Sequence, residues 1–221
     1  MKAMRVYKFL NVEFGMKSLR EKRLKISTLD DLNDPFELLP YEMRKRSLRL
    51  NFRSLARKFA RICGILCFSS DWKDPVIWAH YADKHKGLCL GFEVPRRLGE
   101  KVEYAKRRLK IPEDRVFSST QLFFTKYANW FYEKEVRCVR PLASSKKVGK
   151  LYFMDFGKEL KLVEVIAGPR CKITESELRN AIKPLKGVKL TKARAGFRRF
   201  EVVENQRGFH SKGASVMVAD R

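Results

Sequence analysis

Two glutamates separated by one residue give the sequence its clearest chemical signal. Glu133 and Glu135 lie in the run Tyr-Glu-Lys-Glu-Val-Arg at 132–137, where a predicted helix passes into a predicted strand. In a strand, residues two apart point to the same face. Because like charges repel, this arrangement is costly unless a cation or a reacting group lies between the two carboxylates. We therefore predict a catalytic pair here, or alternatively an ion pair with Lys134 or Arg137.

The run Asn-Asp-Pro-Phe-Glu at 33–37 is a second candidate. Asn, Asp and Pro form turns, so the run is either a structural turn or a polar loop beside a pocket. In the second interpretation, Asn33, Asp34 and Glu37 supply hydrogen-bond donors and acceptors to a ligand. A metal-dependent nucleic-acid hydrolase built on Asp34, Glu37 and Glu133 is a further alternative, although no metal-ligand spacing stands out.

A third candidate is the run Trp-Ala-His-Tyr-Ala at 78–82, on a short helix that begins at Pro75. Its polar side chains, His80 and Tyr81, either line a nucleotide pocket or pack in the core. His80 and His85 do not have the spacing of the HExxH zinc helix. We therefore expect no metal at this run.

The segment between Arg44 and Ile62 predicts an amphipathic helix with an unusual polar face. Its apolar stripe consists of Leu48, Phe52, Leu55, Phe59 and Ile62. The opposite face carries Arg46, Arg49, Arg53, Arg57 and Arg61. Since like charges four residues apart repel, this face is either solvated and paired with acids elsewhere, or bound to a polyanion. Arginine suits the second role because it makes bidentate contacts to phosphate.

These motifs require a scaffold, and the hydrophobic pattern predicts a single basic α+β domain with mixed, mostly antiparallel sheets and peripheral helices. Strands are predicted at about 5–9, 24–27, 64–69, 88–94 and 136–140, with two or three more near the C-terminus. Further helices are predicted at about 12–22, 118–132 and 175–183. Thr174 and Glu177 form a capping box for the last of them. Residues 143–150 are the best candidate for a loop or linker.

Composition limits the class of protein. The chain has 221 residues and a net charge of +24, and its hydrophobic content of 44% is too high for a disordered basic tail. The charge favours nucleic acid or another polyanion as partner. Five cysteines without a CxxC pair favour reduced, buried thiols. Since no apolar run is long enough to span a membrane, we expect a soluble, cytoplasmic protein, and its oligomeric state stays open.

The motifs and their order resemble the prokaryotic and viral family known as domain of unknown function 2971. The residues that carry this resemblance are Tyr7-Lys8-Phe9, Leu24-Lys25-Ile26-Ser27, Asn33-Asp34-Pro35-Phe36-Glu37, Leu66-Cys67-Phe68-Ser69, Trp78-Ala79-His80-Tyr81-Ala82, Lys86-Gly87 and Tyr132-Glu133-Lys134-Glu135-Val136-Arg137. The resemblance covers roughly residues 4–170 and leaves 171–221 as a basic C-terminal extension. By itself it implies no particular activity.

The order of elements is also similar to that of ADP-ribosyltransferases, whose split β core holds NAD in a cleft between two small sheets. This resemblance implies cofactor contacts from Tyr7, Lys8, Asn33, Asp34, Ser69 and Trp78. It implies catalytic roles for Glu135, Glu133, His80 and Tyr81, with Tyr81 or Trp78 stacked on nicotinamide. The sequence departs from the family at two points: Lys8 or Arg5 replaces the usual Arg or His of the first strand, and Ser69-Ser70 replaces a Ser-Thr-Ser triplet.

Three classes of function therefore stay open at the level of sequence. The first is an NAD-dependent ADP-ribosyltransferase-like enzyme acting on or near nucleic acid. The second is a non-enzymatic nucleic-acid-binding module that uses the arginine face, and the third is the metal-dependent hydrolase. If the motifs at 7–8, 33–34, 80–81 and 133–135 line one concave pocket, the enzyme or ligand-binding interpretation is favoured over core packing.

Overall fold

The architecture is that of a computed structural model, which describes residues 2–28, 31–112 and 117–209. Its strands are β1 (Ala3–Leu10), β2 (Arg23–Ile26), β3 (Cys63–Ser69), β4 (Leu88–Pro95), β5 (Glu100–Lys101), β6 (Glu103–Ala105), β7 (Thr125–Tyr127), β8 (Glu135–Pro141), β9 (Lys146–Val148), β10 (Leu151–Asp155), β11 (Lys161–Ala167), β12 (Lys189–Ala195) and β13 (Val202–Glu204). Its α-helices are α1 (Val12–Glu21), α2 (Arg46–Ile62), α3 (Pro75–Tyr81), α4 (Ser119–Phe124) and α5 (Glu175–Ile182). The predicted α+β class with mostly antiparallel sheets is confirmed.

A curled eight-stranded sheet forms the centre of the molecule, in the order β13-β12-β11-β4-β1-β3-β8-β5. Only the β11–β12 pair in this sheet is parallel. Strands β2, β10 and β9 form a second, antiparallel sheet, and β6 and β7 form a parallel pair. Because β1, β3 and β8 are neighbours, segments far apart in sequence meet at the middle of the large sheet.

Three hydrophobic clusters hold helices against this sheet. The largest contains Leu19 of α1, Leu178 of α5 and strand residues such as Val6, Leu90 and Val165. A second, with Phe9 and Trp78 in edge-to-face contact at 5.1 Å between ring centroids, fixes α3 on β1. A third contains Phe52 of α2. Their packing therefore positions α3 and α2 relative to the central strands.

Local signals predicted most elements well. The predicted strands and helices up to residue 95 are present, with ends shifted by one or two residues. Asp74 caps α3 through the Val76 amide, and the Thr174–Glu177 capping box of α5 is formed. The sequence also predicts turns over 28–35, and two residues of that segment, one of them Asp30, lie outside the described part of the chain.

Two of the predicted secondary-structure segments were wrong. The helix expected over 118–132 is instead α4, the short strand β7 and a 3-10 helix at Ala128–Glu133, because Thr125–Tyr127 pairs with β6. The linker expected over 143–150 contains β9, which pairs with β10.

The C-terminal residues belong to the same sheet as the rest. Strand β12 pairs with β11, and β13 pairs with β12, so residues 189–204 continue the large sheet to its edge. Residues 210–221 of the predicted basic extension lie outside the described part of the chain.

Candidate active site

A pocket of about 400 Å³ opens where strands β1, β3 and β8 meet helix α3. It is lined by Tyr7, Lys8, Phe9, Ser27, Asp31, Leu32, Asn33, Glu37, Cys67, Phe68, Ser69, Ile77, His80, Tyr81, Lys126, Glu133 and Glu135. The pocket lies against the large sheet, whereas the resemblance to ADP-ribosyltransferases implied a cleft between two small sheets. All four motifs that the sequence singled out contribute to it.

The register of the central strands brings three pocket residues into one row. Tyr7 on β1 is paired with Ser69 on β3, and Ser69 is paired with Glu135 on β8. Residues directly opposite one another share a face of the sheet. On the other side of Tyr7, Gly91 of β4 leaves room for the tyrosine ring, since a Cβ there would lie 3.2 Å from it. Three residues more than sixty positions apart are thus aligned by strand pairing.

The local backbone turns both glutamates of the 133–135 run into the pocket. Glu133 ends the 3-10 helix, Lys134 adopts a left-handed conformation with φ of 44°, and Glu135 begins β8. Such a conformation is costly for a residue other than glycine and is held by the surrounding structure. The Lys134 ammonium bonds Asp71 at 2.7 Å, so the predicted ion pair between Lys134 and the neighbouring glutamates is not formed.

The cation between the two carboxylates is Lys126, which the sequence did not single out. Its Nζ lies 2.5 Å from Glu133 Oε2, 3.2 Å from Glu135 Oε2 and 3.5 Å from Glu37 Oε1. The sequence gives little sign of this role, because Lys126 is a lone lysine in an aromatic-rich run that the sequence predicts as helix. Of the two alternatives that the sequence left open, a cation or a reacting group, a cation lies between the carboxylates, although it is a different residue from the ones named.

Arg137 completes the network as the predicted partner of Glu135. It is fully buried, and its Nε and Nη2 donate to the two oxygens of Glu135 at 2.8 and 2.9 Å. Nη2 also donates to Glu37 Oε1 at 2.7 Å, and Nη1 donates to the Phe123 carbonyl at 2.7 Å. Three carboxylates thus face two cations, which leaves this cluster formally one charge negative in a strongly basic protein.

The two glutamates have pKa values shifted in opposite directions. Although burial opposes it, the charge and hydrogen bonds of Arg137, together with Lys126, lower the pKa of Glu135 to about 2. Burial raises the pKa of Glu133, because the opposing effects of Lys126 and Tyr81 are smaller. Divergent pKa values in neighbouring carboxyl groups are typical of acid and base roles. Glu135 is suited to a permanent negative charge, and Glu133 is suited to proton transfer.

Helix α3 and the 33–37 loop place polar groups around Glu133. The Tyr81 hydroxyl donates to Glu133 Oε1 at 2.5 Å and accepts from Asn33 Nδ2 at 3.2 Å. His80 Nδ1 lies 3.0 Å from the Tyr132 hydroxyl at the exposed rim. Burial raises the pKa of the Tyr81 phenol, and its bond to Glu133 raises it further. Tyr81 therefore stays protonated and orients the Glu133 carboxylate.

Lys8 and Cys67 lie on the sheet side of the pocket. The Lys8 ammonium donates to the Cys67 carbonyl at 3.0 Å, which fixes one cation at the pocket wall. Burial, followed by the charge of Glu135, raises the pKa of the Cys67 thiol. A protonated thiol is a weak nucleophile, so Cys67 is not suited to covalent catalysis.

Two predicted cofactor contacts do not reach the pocket. Trp78 is fully buried and donates its indole N–H to the Trp72 carbonyl at 2.5 Å, so it cannot stack on a ligand. Asp34 accepts from the Phe36 amide at 2.9 Å and lines a neighbouring cavity of about 270 Å³. That cavity shares Glu37 and Lys126 with the pocket.

Glu37 carries an unsatisfied acceptor between these two cavities. Its Oε2 is buried and has no hydrogen-bond partner among the described residues, although its Oε1 accepts from Arg137. Buried acceptors without a partner are rare in folded proteins and are often found at functional sites.

The described residues contain no group of three or more His, Cys, Asp or Glu side chains arranged around a metal position. Glu37 and Glu133 are bound instead to Arg137 and Lys126, and Asp34 lies in the neighbouring cavity. Of the three carboxylates named for a metal-dependent hydrolase, Glu37 and Glu133 thus meet at Lys126, and Asp34 lies apart from them. In the same part of the chain, no helix is long and apolar enough to cross a membrane.

The arginine face of α2 is exposed as the sequence predicted. All five arginines are exposed: Arg46, Arg49, Arg53, Arg57 and Arg61. Within the described ranges, only Arg49 among them bonds the protein, through the carbonyls of Met43 and Arg44. The apolar stripe is less buried than expected, since Phe52 alone is fully covered and Ile62 is 57% exposed. The face is therefore free to contact another molecule.

Comparisons with protein-family models, with curated proteins and with solved structures find no match for this chain. The resemblance to the domain of unknown function 2971 family and the likeness to ADP-ribosyltransferases therefore stay predictions from the sequence.

Proposed function

We propose that the pocket binds NAD and that the protein transfers ADP-ribose from it to an acceptor on or near nucleic acid. The observation that carries the proposal is the convergence of the four motifs on one pocket that contains two carboxyl groups of divergent pKa. A cytoplasmic location belongs to the same proposal, since NAD is available there and free cysteines stay reduced.

The dimensions and lining of the pocket support a nucleotide ligand. A volume of about 400 Å³ lies within the range of small-molecule sites. Tyr7 and Tyr81 offer ring surface to the nicotinamide, now that Trp78 is excluded, while Asn33 and Ser69 offer hydrogen bonds. Lys8 provides a cation for the pyrophosphate. NAD fits this combination of aromatic, polar and cationic groups.

Glu135 and Glu133 have separate roles in the proposed reaction. The bond between the ribose C1′ and the nicotinamide nitrogen breaks, nicotinamide leaves with the electron pair, and positive charge develops on the ribose. The fixed negative charge of Glu135 stabilises that charge, which is an effect stronger in the transition state than in the ground state. The acceptor forms the new bond to C1′ and gives its proton to Glu133, the carboxylate with the raised pKa. The products are nicotinamide and the ADP-ribosylated acceptor.

A second candidate function is nucleic-acid binding without chemistry, and the exposed arginine face of α2 favours it. Each phosphate contact on duplex DNA lowers the slope of log affinity against log salt by about 0.9. Replacing Arg49, Arg53 and Arg57 by alanine should therefore flatten this slope. An unchanged slope would show that α2 is not the contact surface.

Transfer of label from adenylate-labelled NAD to nucleic acid tests the enzymatic proposal. We expect transfer by the wild-type protein, none by Glu135→Gln, and wild-type transfer by Glu159→Gln, whose side chain pairs with Arg97 and Arg140 outside the pocket. Glu133→Gln serves as a second variant, because Glu135→Gln weakens the buried pair with Arg137. Thermal melting and nucleic-acid binding should persist in the variants. Undiminished transfer by both pocket variants would overturn the proposal.

A further inference from the structure

The hairpin between β12 and β13 displays an exposed aromatic and cationic tip. Phe197 is 88% exposed and Phe200 is 100% exposed, and the residues between them are Arg198 and Arg199. Within the part of the chain that the structure describes, neither of these arginines forms a salt bridge. Single exposed apolar residues are ordinary on a protein surface. Here two exposed aromatic rings flank these two arginines, and none of the four side chains is buried in the core.

Backbone hydrogen bonds hold this tip in place. The Gly196 amide donates to the Glu201 carbonyl at 2.7 Å, and the Glu201 amide donates to the Arg199 carbonyl at 2.9 Å. Below them, Ala195 pairs with Val202 in the sheet. The rings are thus presented on a closed hairpin, which reduces the ordering that a bound ligand would have to impose.

A guanidinium already lies on one ring of the tip. The Arg194 Cζ is 4.3 Å from the centroid of the Phe197 ring. An open groove of about 550 Å³ runs beside this ring, and its charged lining residues are Arg194, Arg198, Arg199, Glu201 and Glu204. Because Glu204 is also paired with Lys189, the balance of charge along the groove is positive. One side of the Phe197 ring therefore faces a cation, while most of its surface remains open to solvent.

We propose that this hairpin binds single-stranded nucleic acid, with unpaired bases stacked on Phe197 and Phe200 and phosphates bound by Arg198 and Arg199. Stacking of bases on aromatic rings along a positively charged groove is the usual mode of single-strand binding. A duplex offers no such contact because its base faces are covered by neighbouring pairs. A membrane fits less well, because membrane affinity scales with the apolar area that is buried and this tip exposes two rings.

A hydrogen bond ties the hairpin to the segment between β3 and α3. The Val202 amide donates to the Lys73 carbonyl at 2.8 Å, and Lys73 lies between β3 and α3. Those two elements supply Ser69, His80 and Tyr81 to the pocket. A strand held at the tip would therefore lie on the same side of the molecule as β3 and α3. The role of the strand as acceptor rests on the proposed function, whereas its binding does not require NAD.

Affinity measurements on the full chain test the inference. The probes are oligothymidylate and oligouridylate of about 15 nucleotides and a duplex of similar length. We expect Phe197→Ala and Phe200→Ala each to weaken single-strand binding about tenfold, with little effect on the duplex. The salt slope should not change, because stacking releases no counterions. Phe14→Ala, on the exposed surface of α1, is the matched control and should bind as the wild type does.

Two further variants distinguish stacking from charge. Arg198→Ala combined with Arg199→Ala should reduce the salt slope, since it removes phosphate contacts. Phe200→Trp should retain affinity and show fluorescence quenching by the single strand but not by the duplex. If the variant that combines Phe197→Ala with Phe200→Ala binds single strands as tightly as the wild type does, the inference is overturned. If the same variant loses binding to phosphatidylserine vesicles while its single-strand affinity is unchanged, the tip is a membrane contact and the inference is overturned.

These outcomes are separable from those that test the proposed function. Single-strand binding that depends on both rings, without any NAD cleavage, would leave the hairpin assignment intact and contradict the enzymatic proposal. NAD cleavage with ring-independent binding would do the reverse.

Discussion

Among single residues, Lys126 has the widest effect on the charges of the pocket, because it contacts three glutamates. A lysine buried alone would lose its charge, but three surrounding glutamates raise the pKa of Lys126 in spite of burial. In turn, its charge helps to lower the pKa of Glu135 and partly offsets the burial that raises the pKa of Glu133. Each charged group is thus held in its state by the others, so the loss of one member should be felt by all.

Removal of this cation should destabilise the fold. We expect Lys126→Met to lower the free energy of unfolding by about 3–5 kcal/mol at neutral pH, because buried carboxylates lose their partner. The loss should shrink as the pH falls, since Glu133 has a raised pKa and becomes neutral first. Urea unfolding between neutral and mildly acidic pH measures both effects.

The matched control for that variant is Lys134→Met. Its ion pair with Asp71 is partly exposed, so the cost should be below about 1 kcal/mol. Equal losses in the two variants would show that the buried network does not contribute as described.

Tyr81 should control the pH dependence of activity. Its hydroxyl donates to Glu133 and thereby lowers the pKa of that carboxyl, while burial raises it. Tyr81→Phe should therefore raise the pKa of Glu133 further, because the charged carboxylate loses a hydrogen-bond donor. If Glu133 must be ionised to accept a proton, the acidic limb of the pH–rate profile moves to higher pH.

A pH profile of nicotinamide release checks this shift, with carboxyl carbon NMR of Glu133 as a direct measure. Tyr132→Phe is the control, because its hydroxyl contacts His80 and makes no hydrogen bond to Glu133. An acidic limb that stays in place in Tyr81→Phe would remove Glu133 from the proton-transfer role.

At the scale of elements, local patterns predicted what local forces determine. Helices α1 and α5 begin at capping residues and could be located from sequence. The segment after Ser118 could not, because its strand β7 exists only through pairing with β6, about twenty residues earlier. That error also hid Lys126, whose position opposite the glutamates depends on β7. Non-local pairing thus accounts for both the missed strand and the missed cation.

Helix α2 should show a conflict between stability and binding. Arg53→Glu places an acid four residues from both Arg49 and Arg57, and such pairs stabilise a helix by about 0.2–0.5 kcal/mol each. The variant should therefore melt at the same or a higher temperature while it binds duplex DNA more weakly and with a flatter salt slope.

Leu55→Ala is a useful comparison for Arg53→Glu, because it removes half-buried apolar surface without changing charge. It should lower stability and leave the salt slope unchanged. Weaker stability together with unchanged DNA binding in Arg53→Glu would contradict an arginine face that serves as a contact surface.

Across the whole molecule, the excess of positive charge and the negatively charged buried cluster lie in different places. The chain carries a net charge of +24, yet the cluster formed by Glu37, Glu133, Glu135, Lys126 and Arg137 is net negative. The sequence predicted a polyanion surface and a separate pocket. It could not predict the alignment of Tyr7, Ser69 and Glu135, because strand order and register are set by the complete sheet. Basic surfaces would attract the acceptor, and the acidic pocket would perform the chemistry.

Release of nicotinamide from NAD by the purified protein would show most simply that the pocket cleaves NAD. We expect release by the wild type, loss of release by Glu133→Gln and Glu135→Gln, and normal release by Glu159→Gln. Each variant should retain its cooperative melting transition, so that loss reflects chemistry and not unfolding. A folded wild-type protein that releases no nicotinamide, with or without single-stranded nucleic acid, would contradict the claim.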